Sequence, residues 1–223
     1  MSIKAFNPQK NAGFTLIELL IGLTLGLMVI ASTLTLYVIT TRSSSDLLHS
    51  TRLNHDLETV MQIMTQDIRR AGYQGGTPSV ITKLTINNLD PSCITYSYHD
   101  GSGIRHYGFK RKGNSIALPQ TTTAPVNCVT SSWEPITEEN VTQITELTFS
   151  DAESQCFNAT DPNQPTSKGA CTIVDPAASP GDSITKISHI TISLSGTLVQ
   201  DATVTKRLDA SVTVANPYTY VKP

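Results

Sequence analysis

Charge is the first thing this chain lacks. Asp, Glu, Lys and Arg make up 15% of it, against about 25% in an average soluble domain. Sixteen basic residues against 18 acidic ones leave a net charge of −2, so there is no basic field of the kind that coats nucleic acid independently of sequence. Catalytic signatures are missing as well: there is no Gly-x-Ser-x-Gly elbow, no His-Glu-x-x-His and no phosphate-cradling glycine loop. His49, His55, His99, His106 and His189 are scattered and no Cys-x-x-Cys occurs, which argues against zinc. The residues thus read as a non-enzyme without a cofactor or metal. At 223 residues the chain has room for one domain plus an appendage, or for two small domains, but not for a large multidomain enzyme.

Two further absences are local. No charged residue lies between Glu18 and Arg42, and no proline lies between Pro8 and Pro78. As a helix, the uncharged stretch Leu19 to Thr41 would be roughly 35 Å long, enough to cross a hydrocarbon core of about 30 Å. Residues 1–13 carry Lys4 and Lys10 and no acid, so the positive-inside bias keeps them in the cytoplasm and exports everything after Arg42. A cleaved secretory signal fits poorly, because the apolar run exceeds the ~7–15 residues of a signal core and no Ala-x-Ala site closes it.

A simple anchor does not explain Glu18, a carboxylate at the edge of the apolar run with Phe14, Leu16 and Ile17 before it. An ionised carboxylate in a bilayer costs several kcal/mol unless it is paired. A cut between Gly13 and Phe14 would create a new α-amino group one turn from Glu18, able to pair with the Glu18 of another copy or of a related subunit. Gly13-Phe14-Thr15-Leu16-Ile17-Glu18, with basic residues before it and about twenty apolar residues after, resembles the class III signal of type IV pilins and type II secretion pseudopilins. The resemblance implies cleavage by the prepilin peptidase after Gly13, N-methylation of Phe14, and docking of Glu18 to a neighbour's terminus during filament assembly.

Beyond Arg42, apolar positions Leu53, Leu57, Val60, Met61, Met64, Ile68 and Ala71 recur at steps of three and four, one stripe of an amphipathic helix. A helix from near Phe14 is expected to run to about Ala71 and stop at Gly72, with a weak point at Ser43 to Asp46. Gly22 and Gly26 form a small-xxx-small pair suited to close helix approach in lipid. From Tyr73 the text changes to short alternating segments broken by Gly, Pro, Asn and Asp, the pattern of strands. Expected strands are Val80–Ile86, Cys93–His99, Gly103–Arg111, Ser115–Pro119, Thr142–Ser150, Ser183–Ser193 and Lys206–Ala215, with Gly113-Asn114 as a hairpin turn. Helix first and strands after predicts an α+β fold, an antiparallel sheet packed on the second half of the long helix. The expected organisation is a leader (1–13), a transmembrane and assembly helix (14–41), its amphipathic continuation (42–72) and a periplasmic or extracellular β-rich body (73–223).

Arg69-Arg70-Ala71-Gly72-Tyr73, the hairpin region Gly101–Leu118, Ile144 to Phe149, Ile187–Leu194 and Leu208–Asn216 are similar to the body of PilW-type minor pilins; the polar insertion 150–182 departs from that pattern. Cys93, Cys128, Cys156 and Cys171 all follow the membrane segment, and an even count in an exported domain favours two disulfides. Of three possible connectivities, sequential pairing is the working expectation: Cys156 with Cys171 around a short loop rich in turn formers, and Cys93 with Cys128. Asp151, Glu153, Asn158, Asp161 and Asn163 supply oxygens in a pattern that calcium would accept, without the spacing of an EF-hand; a solvated loop is the plainer reading. Arg105, His106, Lys110, Arg111 and Lys112, interleaved with Tyr107 and Phe109, form a basic and aromatic patch. Contact with DNA through it is disfavoured against a hairpin whose Tyr and Phe point inward.

The resemblance implies a minor pilin, a structural subunit that takes part in type IV pilus assembly within a priming or tip complex. Its implied partners are the prepilin peptidase, other minor pilins and the major pilin, the inner-membrane assembly platform, and membrane lipid before assembly. It would be a single-pass inner-membrane protein first and part of the pilus on the cell surface afterwards. Two alternatives stay open: a GspJ-like pseudopilin of type II secretion, and a membrane-tethered periplasmic binding module that never assembles.

Overall fold

The computed structural model describes residues 13–76, 83–164, 166–169, 171 and 177–223. The chain divides into two units between Leu48 and His49. The described part of the first is the leading portion of a helix, α1 (Leu16–Arg69), and every residue from Gly13 to Leu48 is exposed. The expected weak point at Ser43 to Asp46 does not interrupt α1. No proline or glycine lies between Gly26 and Gly72. Four polar residues cannot offset the cooperativity of helix flanking them on both sides, because a break would require a second costly nucleation.

In the second unit, Leu53, Leu57, Val60, Met61, Met64, Ile68 and Ala71 are all buried, so the stripe read from the sequence is the face that packs. Gly72 takes a left-handed φ of 79° just past the end of α1, as a glycine at a helix C-terminus does. The last carbonyls of the helix find partners in the C-terminal part of the chain. The Ala215 N–H donates to the Arg69 carbonyl at 3.0 Å, and the Asn216 side-chain amide donates to the Ala71 carbonyl at 3.2 Å.

The body is built of three antiparallel sheets, where the sequence pattern led to one. The first runs β1 (Thr85–Ile86), β2 (Cys93–His99), β3 (Ile104–Lys112), β4 (Ser115–Pro119) and β5 (Trp133–Pro135), neighbours pairing in that order. The second has β10 (His189–Leu198) at its centre, between β11 (Thr205–Thr213) and β6 (Thr142–Ser150). The third is ordered β12 (Tyr218–Val221), β9 (Ser183–Ile187), β7 (Gln155–Asn158) and β8 (Ser167–Lys168). Val80–Thr82 of the first expected strand lie outside the described residues; Thr85 and Ile86 of it are paired. The hairpin turn stands where it was expected, between Lys112 and Ser115, with Gly113 at φ 62°.

The first two sheets and α1 enclose one core, in which Ile94, Tyr96, Phe109 and Ile116 meet Ile144, Phe149, Ile190 and Ile192 around the helix stripe. Each such side chain contributes about 1.5–3 kcal/mol on burial. Gly196 sits at the irregularity between β10 and β6. A Cβ there would lie 3.1 Å from Leu57 Cδ2 and 3.1 Å from the Gln143 carbonyl oxygen, so the missing side chain is what lets the helix approach the sheet this closely.

The third sheet has its own small core of Cys156, Ala178 and Ile184, with Cys171 and Tyr220 against it. The expected strand Ser183–Ser193 is in fact two. β9 belongs to the third sheet and β10 to the second, and the chain changes sheets at Ser188. Even-numbered residues from Ile184 to Leu198 are buried on both sides of that break, so the alternation passes through it unchanged.

Candidate functional site

The helix begins at Leu16 because Thr15 caps it: the Glu18 backbone N–H donates to Thr15 Oγ1 at 3.3 Å. Glu18 stands in the first turn, where the helix dipole favours a negative charge. Thr15-Leu16-Ile17-Glu18 has the spacing of a capping box, a local signal that was in the sequence and that accounts for where α1 starts. The Gly13–Phe14 peptide lies just ahead of the helix, outside regular structure. Phe14 is 78% exposed and nothing lies within 4 Å of where a Gly13 Cβ would be, so a protease meets no obstruction from the described residues at this bond.

The apolar run after Glu18 contains hydroxyl side chains that would be costly in lipid if left unpaired. They are satisfied within the helix. Thr24 donates to the Ile21 carbonyl at 2.9 Å, Ser32 to Val29 at 2.8 Å, Thr33 to Ile30 at 2.9 Å, Thr35 to Ala31 at 2.8 Å and Thr40 to Leu36 at 2.8 Å. Alone among the elements of the described residues, α1 is long and apolar enough to cross a membrane.

The cysteines form two bridges, Cys93–Cys128 and Cys156–Cys171. The first closes over the outer side of the first sheet, packed with Ala117 and Trp133; the second lies in the core of the third sheet. The oxygen-bearing residues considered for calcium are occupied in other ways. Asp151 pairs with Lys186, and Glu153 pairs with Lys168 at 3.2 Å. The Asn158 amide donates to Gln164 and to Asp182, and Asp161 accepts from the Asn163 N–H. Among the described residues, no three His, Cys, Asp or Glu side chains gather as a metal would need.

The basic and aromatic patch is split by the pleat of β3. Phe109 is buried and Tyr107 stacks on Tyr98 with ring centroids 4.4 Å apart, both against the helix side. Burial pushes the His106 imidazole below its ordinary value. Arg105 pairs with Asp100 at 3.0 Å, whose carboxyl is held well below the usual range, first by the hydroxyl and backbone N–H of Ser102. Arg111 donates to the Thr145 carbonyl, Lys110 to that of Cys128 and Lys112 to that of Trp133. A strand of nucleic acid would find no stacking platform here.

One residue of consequence that the sequence reading passed over is Asp67, which lies off the apolar stripe. Its two carboxylate oxygens accept the hydroxyls of Tyr96 and Tyr98, at 2.6 and 2.7 Å. Nothing local announces that contact, since the partners are 29 and 31 positions away.

Residues 8–34, which contain Gly13, Phe14 and Glu18, match the prokaryotic N-terminal methylation motif. Residues 46–214 match the model of prepilin peptidase-dependent protein B, over most of the chain. The chain belongs to the prepilin peptidase-dependent protein B family. It is therefore a type IV pilin-like protein, a subunit of the pilus or secretion class whose partner is the prepilin peptidase. Membership unites the two ends of the description: an exposed apolar helix behind a methylation motif, and a disulfide-bonded β body. No curated protein and no solved structure matches the chain.

Proposed function

We propose that the chain is a minor pilin of the PilW kind, a structural subunit that works in type IV pilus assembly through geometry and carries no enzymatic activity. The observation that supports this most is the order of parts over a few residues: an open Gly13–Phe14 bond, the Thr15 cap, and Glu18 in the first turn of a helix whose apolar leading part is exposed through Leu48. Prepilin peptidase would cut after Gly13 and methylate Phe14, giving a mature chain that begins at Phe14. The α-amino group so released is largely cationic near neutral pH, with an ordinary value of about 8, and methylation keeps it basic.

Before assembly, residues 14–41 would hold the subunit in the inner membrane with the body in the periplasm. The terminal amine of one subunit and the Glu18 of its neighbour would then meet in a low-dielectric bundle. There an opposite charge is worth far more than in water, and an unpaired one costs several kcal/mol. That difference selects correctly registered neighbours, whether other minor pilins or the major pilin, above the assembly platform. Lipid contacts of the exposed apolar side chains are exchanged for helix contacts, and the body is carried outward to the pilus surface.

The test combines terminal sequencing by mass spectrometry with fractionation of sheared pili. The expected wild-type result is an N-terminus at methylated Phe14. Glu18→Ala should leave cutting and methylation intact and remove the protein from the pilus fraction. An unprocessed Met1, or normal incorporation of the Glu18→Ala chain, overturns the proposal.

A further inference from the structure

On the outer face of the first sheet, away from the helix, a groove of about 380 Å³ is lined by Lys110 and Lys112 of β3 together with Gln120, Ser131, Ser132 and Trp133. The two lysines are two positions apart on one strand, so they share a face at a spacing of roughly 7 Å. Each gives one hydrogen bond to a backbone carbonyl of the segment that walls the groove, Lys110 to Cys128 at 2.7 Å and Lys112 to Trp133 at 2.9 Å. That segment is fixed to β2 by the Cys93–Cys128 bridge, so the ammonium groups are held in place. An ammonium has three donors, and among the described residues neither lysine has a carboxylate partner.

Trp133 adds an independent observation. It is 6% exposed, and its indole N–H is a buried side-chain donor with no acceptor among the described residues, a deficit that costs stability. Among the described residues, no acidic side chain lines the groove. Beside Gln120, Ser131 and Ser132, which can donate or accept, the groups around it are two cations and an indole N–H, so the complementary ligand accepts hydrogen bonds and is negatively charged. A carboxylate meets that description, with acceptor sites only. The indole and the side chain of Val129, which also lines the groove, offer apolar walls for the methylenes that carry a glutamate carboxylate. A nucleic acid backbone would call for a run of cations along its track, which two lysines do not supply.

We propose that this groove binds the carboxylate of an acidic segment on a partner protein. The inference does not depend on the chain entering a filament. Trp133 is the sole tryptophan, so intrinsic fluorescence of the full chain in detergent micelles reports on the site directly. Titration with a capped peptide carrying a Glu-Glu core should shift the emission saturably, whereas the Gln-Gln counterpart should not. Lys112→Gln, at an exposed position, should weaken binding about tenfold, the usual effect of losing one charge-assisted hydrogen bond, and Lys112→Arg should retain it. Lys110→Gln should act like Lys112→Gln; unchanged thermal unfolding certifies each variant, and Lys112→Gln alone suffices if Lys110→Gln does not fold. A flat titration, an equal response to the Gln-Gln peptide, or saturation by inorganic phosphate and not by the acidic peptide overturns the proposal.

Discussion

The Tyr96 hydroxyl donates to the Asp67 carboxylate at 2.6 Å, joining the last turns of α1 to the second strand of the body through a side chain that is 1% exposed. Tyr98 takes the other carboxylate oxygen. Hydrogen bonds to a charged group are worth about 1.5–3 kcal/mol each, and orphaned buried partners cost more than a bond exchanged for water. Asp67→Ala should therefore destabilise the protein by about 3 kcal/mol or more in urea unfolding. Asp67→Asn, which keeps one acceptor, should cost clearly less.

The same clamp sets the alkaline limit. Both phenols are pushed up from their ordinary value of 10.0, first by burial and then by Asp67. A raised folded value means that the folded state holds its proton while the unfolded chain releases one. The contribution to stability is thus whole below pH 10 and is lost as the pH climbs beyond it. Two such groups give a slope of about 2.7 kcal/mol per pH unit. Unfolding free energies measured from pH 9 to 11.5 should show it, and Tyr98→Phe should halve it.

Close approach of α1 to the second sheet rests on Gly196. Gly196→Ala should cost about 1–3 kcal/mol by overpacking, because the new methyl meets Leu57 and the Gln143 carbonyl. Combined with Leu57→Ala it should cost less than the sum of the two single changes. Strict additivity in that cycle would mean the two sites are not in contact.

The two bridges should differ in strength and in signature. Chain-entropy arguments give about 3 kcal/mol for the Cys156–Cys171 loop and about 4 kcal/mol for the longer Cys93–Cys128 loop. Double Ser variants of each, followed by urea unfolding, test the order. Only the Cys93 and Cys128 pair should alter Trp133 emission, since Trp133 packs beside it.

How much of this was legible in the sequence follows from the range of the forces involved. The buried stripe from Leu53 to Ala71 was readable to the residue, because spacing along one helix is a local property. Of the third sheet only β9 was readable; β7, β8 and β12 were not, since they have four, two and four residues, too few to show alternation. Their existence depends on partners far away in the chain, such as Lys186 for Tyr218. The sheet change at Ser188 was invisible for a different reason: the same set of positions stays buried on both sides of it. At the N-terminal site, Gly13, Phe14 and Glu18 were legible as a short motif, and so was the Thr15 cap. The Asp67 contact was hidden, because a polar residue off a helix stripe looks the same whether it meets water or two tyrosines.

The nucleus formed by Cys156, Ala178 and Ile184 shares no residue with the large one around α1. Destabilising changes in the two should therefore be independent, and the smaller nucleus carries its own covalent staple. The third sheet thus gathers around an apolar nucleus of its own while polar ties, Lys186 to Asp151 and the Ser154 hydroxyl to the His189 backbone, anchor it to the second.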